Sequence, residues 1–106
     1  MTVGKGLMLA MLLATSHPQS TSAGDRELGQ YLSSECVTCH QVSGKAIEGV
    51  PPIVGWPEDQ FAAVMNSYKE KQRDNPVMQT IADRLKAEDI AALATYFGGL
   101  PPAQSK

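Results

Sequence analysis

The sequence has 106 residues, of which 42% are hydrophobic and 19% charged, and this length fits a single domain. Its net charge is −2, from 9 Lys and Arg residues against 11 Asp and Glu residues, and the cations form no basic stripe. This balance argues against nucleic-acid binding, and the composition does not suggest a disordered chain.

A secretory signal peptide is predicted over residues 1–23. Lys5 provides a positive start, residues 7–14 form an apolar run, and the segment ends in the small residues that a signal peptidase requires. The apolar run is much shorter than the roughly 20 residues that a membrane-spanning helix needs. We therefore expect cleavage near Ala23, export to the periplasm and no stable membrane span in the mature chain, with an uncleaved amphipathic anchor as the alternative.

The mature domain, residues 24–106, would be small for a protein with a single apolar core. Domains of about eighty residues seldom gain much net stability from such a core alone. A disulfide, a metal ion or a large cofactor is therefore expected to help stabilise it.

Three main helices and one shorter helix are predicted, and in chain order they cover residues 25–35, 57–71, 77–85 and 87–97. In the first, Leu28, Tyr31 and Leu32 follow the i, i+3, i+4 spacing of one apolar helix face. Residues 41–56 contain several glycines and prolines and are predicted to form a long loop. No segment alternates apolar and polar residues as a strand would, so the fold class is predicted to be all-α.

The motif Cys36-Val37-Thr38-Cys39-His40 allows three interpretations. A thioredoxin-type dithiol site needs a strand before the motif, and here a helix is predicted. A zinc site needs a fourth ligand, and the only other histidine, His17, lies in the predicted signal peptide. Covalent haem attachment uses both thiols as anchors and the adjacent histidine as an iron ligand, and C-x-x-C-H is its sequence form. Export and small size favour haem c, attached through Cys36 and Cys39 with His40 on the iron.

A second axial iron ligand must come from elsewhere in the chain. The mature chain has no other histidine, and its two methionines are Met65 and Met78. Met65 belongs to the apolar face of the second helix, whereas Met78 follows Asn75-Pro76 in chain expected to be irregular. Met78 is the favoured ligand, and Met65 or an open iron site are the alternatives. Histidine with methionine is an arrangement used in electron transfer.

Two further residues are predicted to lie around the haem. Pro51 lies in the loop that returns over the His40 side, so its carbonyl is the expected acceptor for the second ring nitrogen of that histidine. Trp56 is predicted either to donate its indole N–H to a haem propionate or to shield the haem edge.

The mature sequence resembles the class I monohaem c-type cytochromes of bacteria over nearly all of its length. The resemblance is carried by Tyr31 ahead of "CVTCH", by "PPIVG", by Met78 and by the closing "EDIAALATYF". It implies a small cytochrome c fold around a covalently bound haem, with Pro51 as the acceptor for the histidine. It also implies that the first and last helices cross through aromatics, here Tyr31 with Tyr96 or Phe97.

A narrower resemblance links residues 61–97 to the cytochrome subunit of flavocytochrome c sulfide dehydrogenases. Three functions follow as hypotheses. The first is an electron carrier that is not itself an enzyme and exchanges electrons with redox protein partners. The second is the haem subunit of a sulfide-oxidising complex that accepts electrons from a flavoprotein subunit. The third is a haem enzyme such as a peroxidase, which would need an open iron.

Overall fold

The computed structural model describes residues 24–103, together with Gly4 and Gly6. The predicted signal peptide and its cleavage site therefore lie outside the described residues, apart from those two glycines. Within the described part there are four α-helices and no strand: α1 (Arg26–Leu32), α2 (Glu58–Lys69), α3 (Pro76–Asp83) and α4 (Ala87–Gly98). The all-α prediction is confirmed. Among these residues no helix is long and apolar enough to cross a membrane.

Helices α1 and α4 begin where side chains accept hydrogen bonds from free backbone N–H groups. At the start of α1, Asp25 Oδ1 accepts hydrogen bonds from the N–H groups of Glu27 and Leu28, at 3.0 and 3.2 Å. At the start of α4, the carboxylate of Asp89 accepts the backbone N–H of Lys86 at 2.8 Å. Because a lysine side chain has no acceptor atom, Asp89 alone provides the side-chain cap there.

The predicted helix boundaries need small corrections. The helix expected over residues 25–35 is α-helical only as far as Leu32 and continues as a 3₁₀ turn, Ser33–Glu35. Pro57 precedes α2 rather than forming its first residue, and α2 ends at Lys69. Such shifts occur at helix ends, where hydrogen bonding changes within one turn.

The crossing of α1 and α4 depends on a glycine and not on the expected aromatic pair. A methyl group on Gly29 would overlap the carbonyl oxygen of Ala92 and come within 2.8 Å of the Tyr96 Cβ, so only glycine lets the two helices approach this closely. Tyr31 is 79% exposed. The prediction that Tyr31 packs on Tyr96 or Phe97 is therefore wrong.

The apolar core lies between α2 and α4. Phe97 is fully buried, stacks on Phe61 with ring centroids 5.8 Å apart, and meets the edge of Tyr96 at 5.2 Å. The two helices run antiparallel, since Gly98 lies beside Glu58 and the ammonium of Lys69 donates to the Leu85 carbonyl. The loop and α3 pack against this core.

Candidate haem site

An apolar cleft of about 200 Å³ lies between the C-x-x-C-H segment, the loop that follows it, and helices α2 and α3. The cleft brings together every site residue that the sequence analysis singled out. Its lining consists of Glu35, Cys36, Thr38, Cys39, His40, Pro51, Ile53, Trp56, Phe61, Val64, Met65, Tyr68, Val77, Met78 and Ile81.

The C-x-x-C-H segment continues the coil of the 3₁₀ turn before it. The N–H of Cys39 donates to the Cys36 carbonyl at 3.1 Å, and the N–H of His40 donates to the same carbonyl at 2.8 Å. This tight turn directs both thiols and the imidazole to the same cleft. The close spacing of the motif therefore becomes a cluster of three reactive side chains on one wall.

The two thiols are not joined to each other, and they differ in exposure. Cys36 is half-buried and Cys39 is exposed. Burial raises the pKa of Cys36 to about 11, and the neighbouring carboxylate of Glu35 adds to the rise. The Cys36 thiol therefore keeps its S–H at neutral pH.

His40 is held by the loop opposite it. Its Nδ1 lies 2.7 Å from the carbonyl oxygen of Pro51, the contact expected from the sequence. In the tautomer that donates this hydrogen bond, the Nε2 lone pair is free to bind a metal ion. Paired hydrogen bonds between Ile47 and Val50 close the turn just before Pro51 and so fix the position of this carbonyl.

Met78 lines the same cleft, but from a helix. The sequence analysis predicted a short helix over residues 77–85 but treated Met78, near its start, as irregular chain; Met78 is the third residue of α3, after Asn75 at the N-cap and Pro76 at the first position. Met65 also lines the cleft, and it is buried in the core with 6% of its surface exposed. Both methionines thus face the cleft, and the half-buried Met78 is the one outside the buried core.

Trp56 is half-buried and lines the cleft beside the core. The residue before it, Gly55, has φ of +74° and donates its N–H to the Phe97 carbonyl at 2.8 Å. A Cβ at Gly55 would also come within 2.6 Å of Pro102. Glycine is therefore required here, and the turn that it makes fixes the indole at the cleft.

One residue near the cleft was missed by the sequence analysis. Asn75 was interpreted only as part of a helix break, yet its side chain caps the helix that carries Met78. The signal was present in the sequence, because Asn followed by Pro is typical of an N-cap and the first residue of a helix.

The chemistry of this lining fits a haem attached through two thioethers. The walls are mostly apolar, the two thiols lie one turn apart, and an imidazole with a free Nε2 and a methionine thioether complete the donor set. In residues 24–103, no group of three or more His, Cys, Asp and Glu side chains is arranged to hold a bare metal ion.

Comparisons with known proteins agree with this geometry. The cytochrome c family model matches residues 26–100. The thiosulfate dehydrogenase electron acceptor of Thiomonas intermedia is 33% identical over 67% of this chain and 34% of its own length. The cytochrome subunit of sulfide dehydrogenase from Chlorobaculum tepidum is 31% identical over 68% of this chain and 66% of its own length.

The fold has a counterpart among solved structures. Reduced cytochrome c4 from Pseudomonas stutzeri superposes with a TM-score of 0.62 at 24% identity, over 77% of this chain and 53% of that protein. The chain thus spans only about a third to two-thirds of the length of the curated relatives just described. The matched residues and the shared fold establish that the chain belongs to the cytochrome c family, and membership implies covalently bound haem c and a role in electron transfer.

Proposed function

We propose that the chain is a periplasmic electron carrier with one haem c, attached through Cys36 and Cys39 and ligated by His40 and Met78. The observation that carries the proposal is that one apolar cleft gathers the C-x-x-C-H segment and Met78 from distant parts of the sequence. When bound, the haem supplies an iron that alternates between Fe(III) and Fe(II). The proposed mature domain is residues 24–106, after cleavage near Ala23.

The residues of the cleft are assigned four tasks. Cys36 and Cys39 anchor the haem. The Pro51 carbonyl accepts the Nδ1–H of His40, which leaves Nε2 of the same ring free for the iron. The Met78 thioether would be the second protein ligand of the iron, which would leave no site for a substrate and favours a carrier over an enzyme. Trp56 and the apolar walls limit the access of water.

Substitution of Met78 tests the ligand set. In Met78→Ala, the near-red absorption band that reports a sulfur ligand to Fe(III) should disappear, and the reduction potential should fall because a thioether favours Fe(II). Met65→Leu is the matched control, since it removes the other thioether of the cleft and should leave the band in place. Persistence of the band in Met78→Ala would refute the assignment. Rapid binding of cyanide or peroxide to the oxidised wild type would instead support a haem enzyme with open iron.

A second candidate function is the haem subunit of a sulfide-oxidising complex. It is favoured by the similarity to the cytochrome subunit of sulfide dehydrogenase, of which the match covers 66%. In this role the same site would accept electrons from a flavoprotein subunit. Affinity purification from the native periplasm should then recover a flavoprotein at equal molar amount, whereas a monomer without flavin on gel filtration would favour the free carrier.

A further inference from the structure

We infer that Asn75 is a positioning residue for Met78, so that its side chain controls how firmly the thioether is held toward the haem. The inference rests on the proposed ligation by Met78. It concerns the backbone of the ligand residue and assigns Asn75 no contact with the haem.

Asn75 encloses the first turn of α3 with two hydrogen bonds. Its Oδ1 accepts the backbone N–H of Met78 at 3.1 Å, and its carbonyl accepts the N–H of Gln79 at 2.9 Å. Asn75 itself is extended, with φ of −159° and ψ of 105°, as an N-cap residue should be. Pro76 follows at the first helical position, where its fixed φ suits the turn.

The same turn is also fastened to the wall of the cleft. The side-chain amide of Gln79 donates to the Arg73 carbonyl at 2.8 Å. The Arg73 guanidinium lies over the ring of Tyr68, 5.3 Å from its centroid, and Tyr68 lines the cleft from α2. The chain before Asn75 is therefore held to α2, and the Asn75 cap transmits that position to Met78.

The length of α3 makes this cap important. The helix has eight residues, and helices of this length are not stable on their own because nucleation is unfavourable. Loss of the cap leaves the Met78 N–H without its protein acceptor and favours opening of the first turn. In the open form the Met78 thioether would no longer be held toward the haem, and an added ligand could bind in its place. The apparent dissociation constant of the added ligand is inversely proportional to the fraction of open molecules, so it falls as that fraction rises.

Imidazole titration of the oxidised, haem-loaded full chain tests the inference. Asn75→Ala should bind imidazole about fivefold more tightly than the wild type, the change that corresponds to loss of a typical N-cap. Asn75→Asp keeps an acceptor and should bind imidazole with the wild-type affinity. Asn75→Thr is a weaker cap, so its imidazole affinity should lie between those of the wild type and Asn75→Ala. Thr80→Ala is the matched control, because the exposed Thr80 hydroxyl donates to the Pro76 carbonyl of the same helix at 2.9 Å. It should leave imidazole affinity unchanged.

The order of the series decides the outcome, including when Asn75→Ala fails to accumulate with haem. Tighter imidazole binding by Asn75→Thr than by Asn75→Asp and the wild type supports the positioning role. Equal affinity in all folded Asn75 variants overturns it, as does an equal rise in Thr80→Ala. The sulfur-ligand band of wild type and Met78→Ala separates this failure from failure of the proposed ligation, since the band depends on Met78 whether or not Asn75 matters.

Discussion

At the scale of single residues, the site depends on residues that are not proposed to bind the iron themselves. The Pro51 carbonyl selects the His40 tautomer, and it can do so because the turn before it is closed by Ile47 and Val50. Gly55 places the Trp56 ring at the cleft through a backbone conformation that favours glycine. The His40 and Trp56 side chains are thus positioned by the backbone of the loop.

Substitution of Trp56 distinguishes its two proposed roles. If the ring only shields the haem, Trp56→Phe should keep the wild-type reduction potential. Trp56→Ala should lower it by an amount on the order of tens of millivolts, because water entering the cleft favours Fe(III). Protein-film voltammetry would measure both shifts. A fall in Trp56→Phe as large as that in Trp56→Ala would show instead that the indole N–H is the part that matters.

Gly29→Ala should destabilise the protein although alanine is the better helix former. Its propensity gain of about 1 kcal/mol is opposed by the overlap of the new methyl group with the Ala92 carbonyl, which needs a shift of two packed helices. We expect a net loss of roughly 2 kcal/mol in the free energy of unfolding, measured by denaturant titration.

Gln30→Ala provides the control for this substitution, since Gln30 is the exposed neighbour in the same helix. It should change stability by no more than about 0.5 kcal/mol. A Gly29→Ala protein as stable as the wild type would mean that α1 and α4 do not touch at this point.

At the scale of elements, the turn between α2 and α3 contains a conformational conflict. Lys71 has φ of 61°, in the left-handed region that favours glycine, and its ammonium forms an exposed ion pair with Asp83 at 2.7 Å. The backbone conformation costs about 1–2 kcal/mol for a residue with a side chain, whereas an exposed ion pair contributes about 1 kcal/mol at most. The conformational cost should therefore outweigh the ion pair.

A pair of substitutions at Lys71 separates these terms. Lys71→Ala removes the ion pair and keeps the backbone cost, so it should lower stability by about 0.5 kcal/mol. Lys71→Gly removes the ion pair and also the cost of the positive φ. Its free energy of unfolding should therefore be about 1 kcal/mol higher than that of the alanine variant. Thermal unfolding of the two haem-loaded variants compares them directly, and an alanine variant at least as stable as the glycine variant would contradict the expectation.

The helices and the attachment motif could be predicted from the sequence because both are local. Apolar spacing located α1, α2 and α4, and the C-x-x-C-H pattern located one wall of the cleft. The first and last helices meet, as the family resemblance implied, but the Tyr31 contact that it also implied was wrong, because Tyr31 is 79% exposed and the close approach is made by Gly29. The third helix was predicted to start one residue late, and Met78 was treated as irregular chain, because Asn75-Pro76 was interpreted only as a helix break although it also starts a helix.

At the scale of the whole molecule, the cleft occupies a place that a larger domain would fill with side chains. Ile53, Val64 and Ile81 face it from the loop, from α2 and from α3, and these three elements have their apolar sides directed toward one another across it. A bound haem would give them a common apolar partner, which agrees with the expectation that so short a chain needs a large group to stabilise it.

Removal of the anchors should therefore abolish folding as well as haem attachment. In Cys36→Ser/Cys39→Ser, expressed with its signal segment, we expect no haem stain on a denaturing gel and a large loss of helical signal by far-UV circular dichroism. Thr38→Ala is the control, since it changes an exposed residue within the motif and keeps both thiols. A double variant with the full helical signal would show that the helices fold without the attached group.

The contact of α1 with α4 has a consequence for the speed of folding. Gly29 and Ala92 lie near opposite ends of the described chain, so their contact closes a loop that contains the entire cleft. Helical proteins usually fold quickly because their contacts are local, whereas contacts between distant residues slow folding. This chain should accordingly fold more slowly than a helical bundle of the same length, with the pairing of its terminal helices as the step that carries the entropic cost of loop closure.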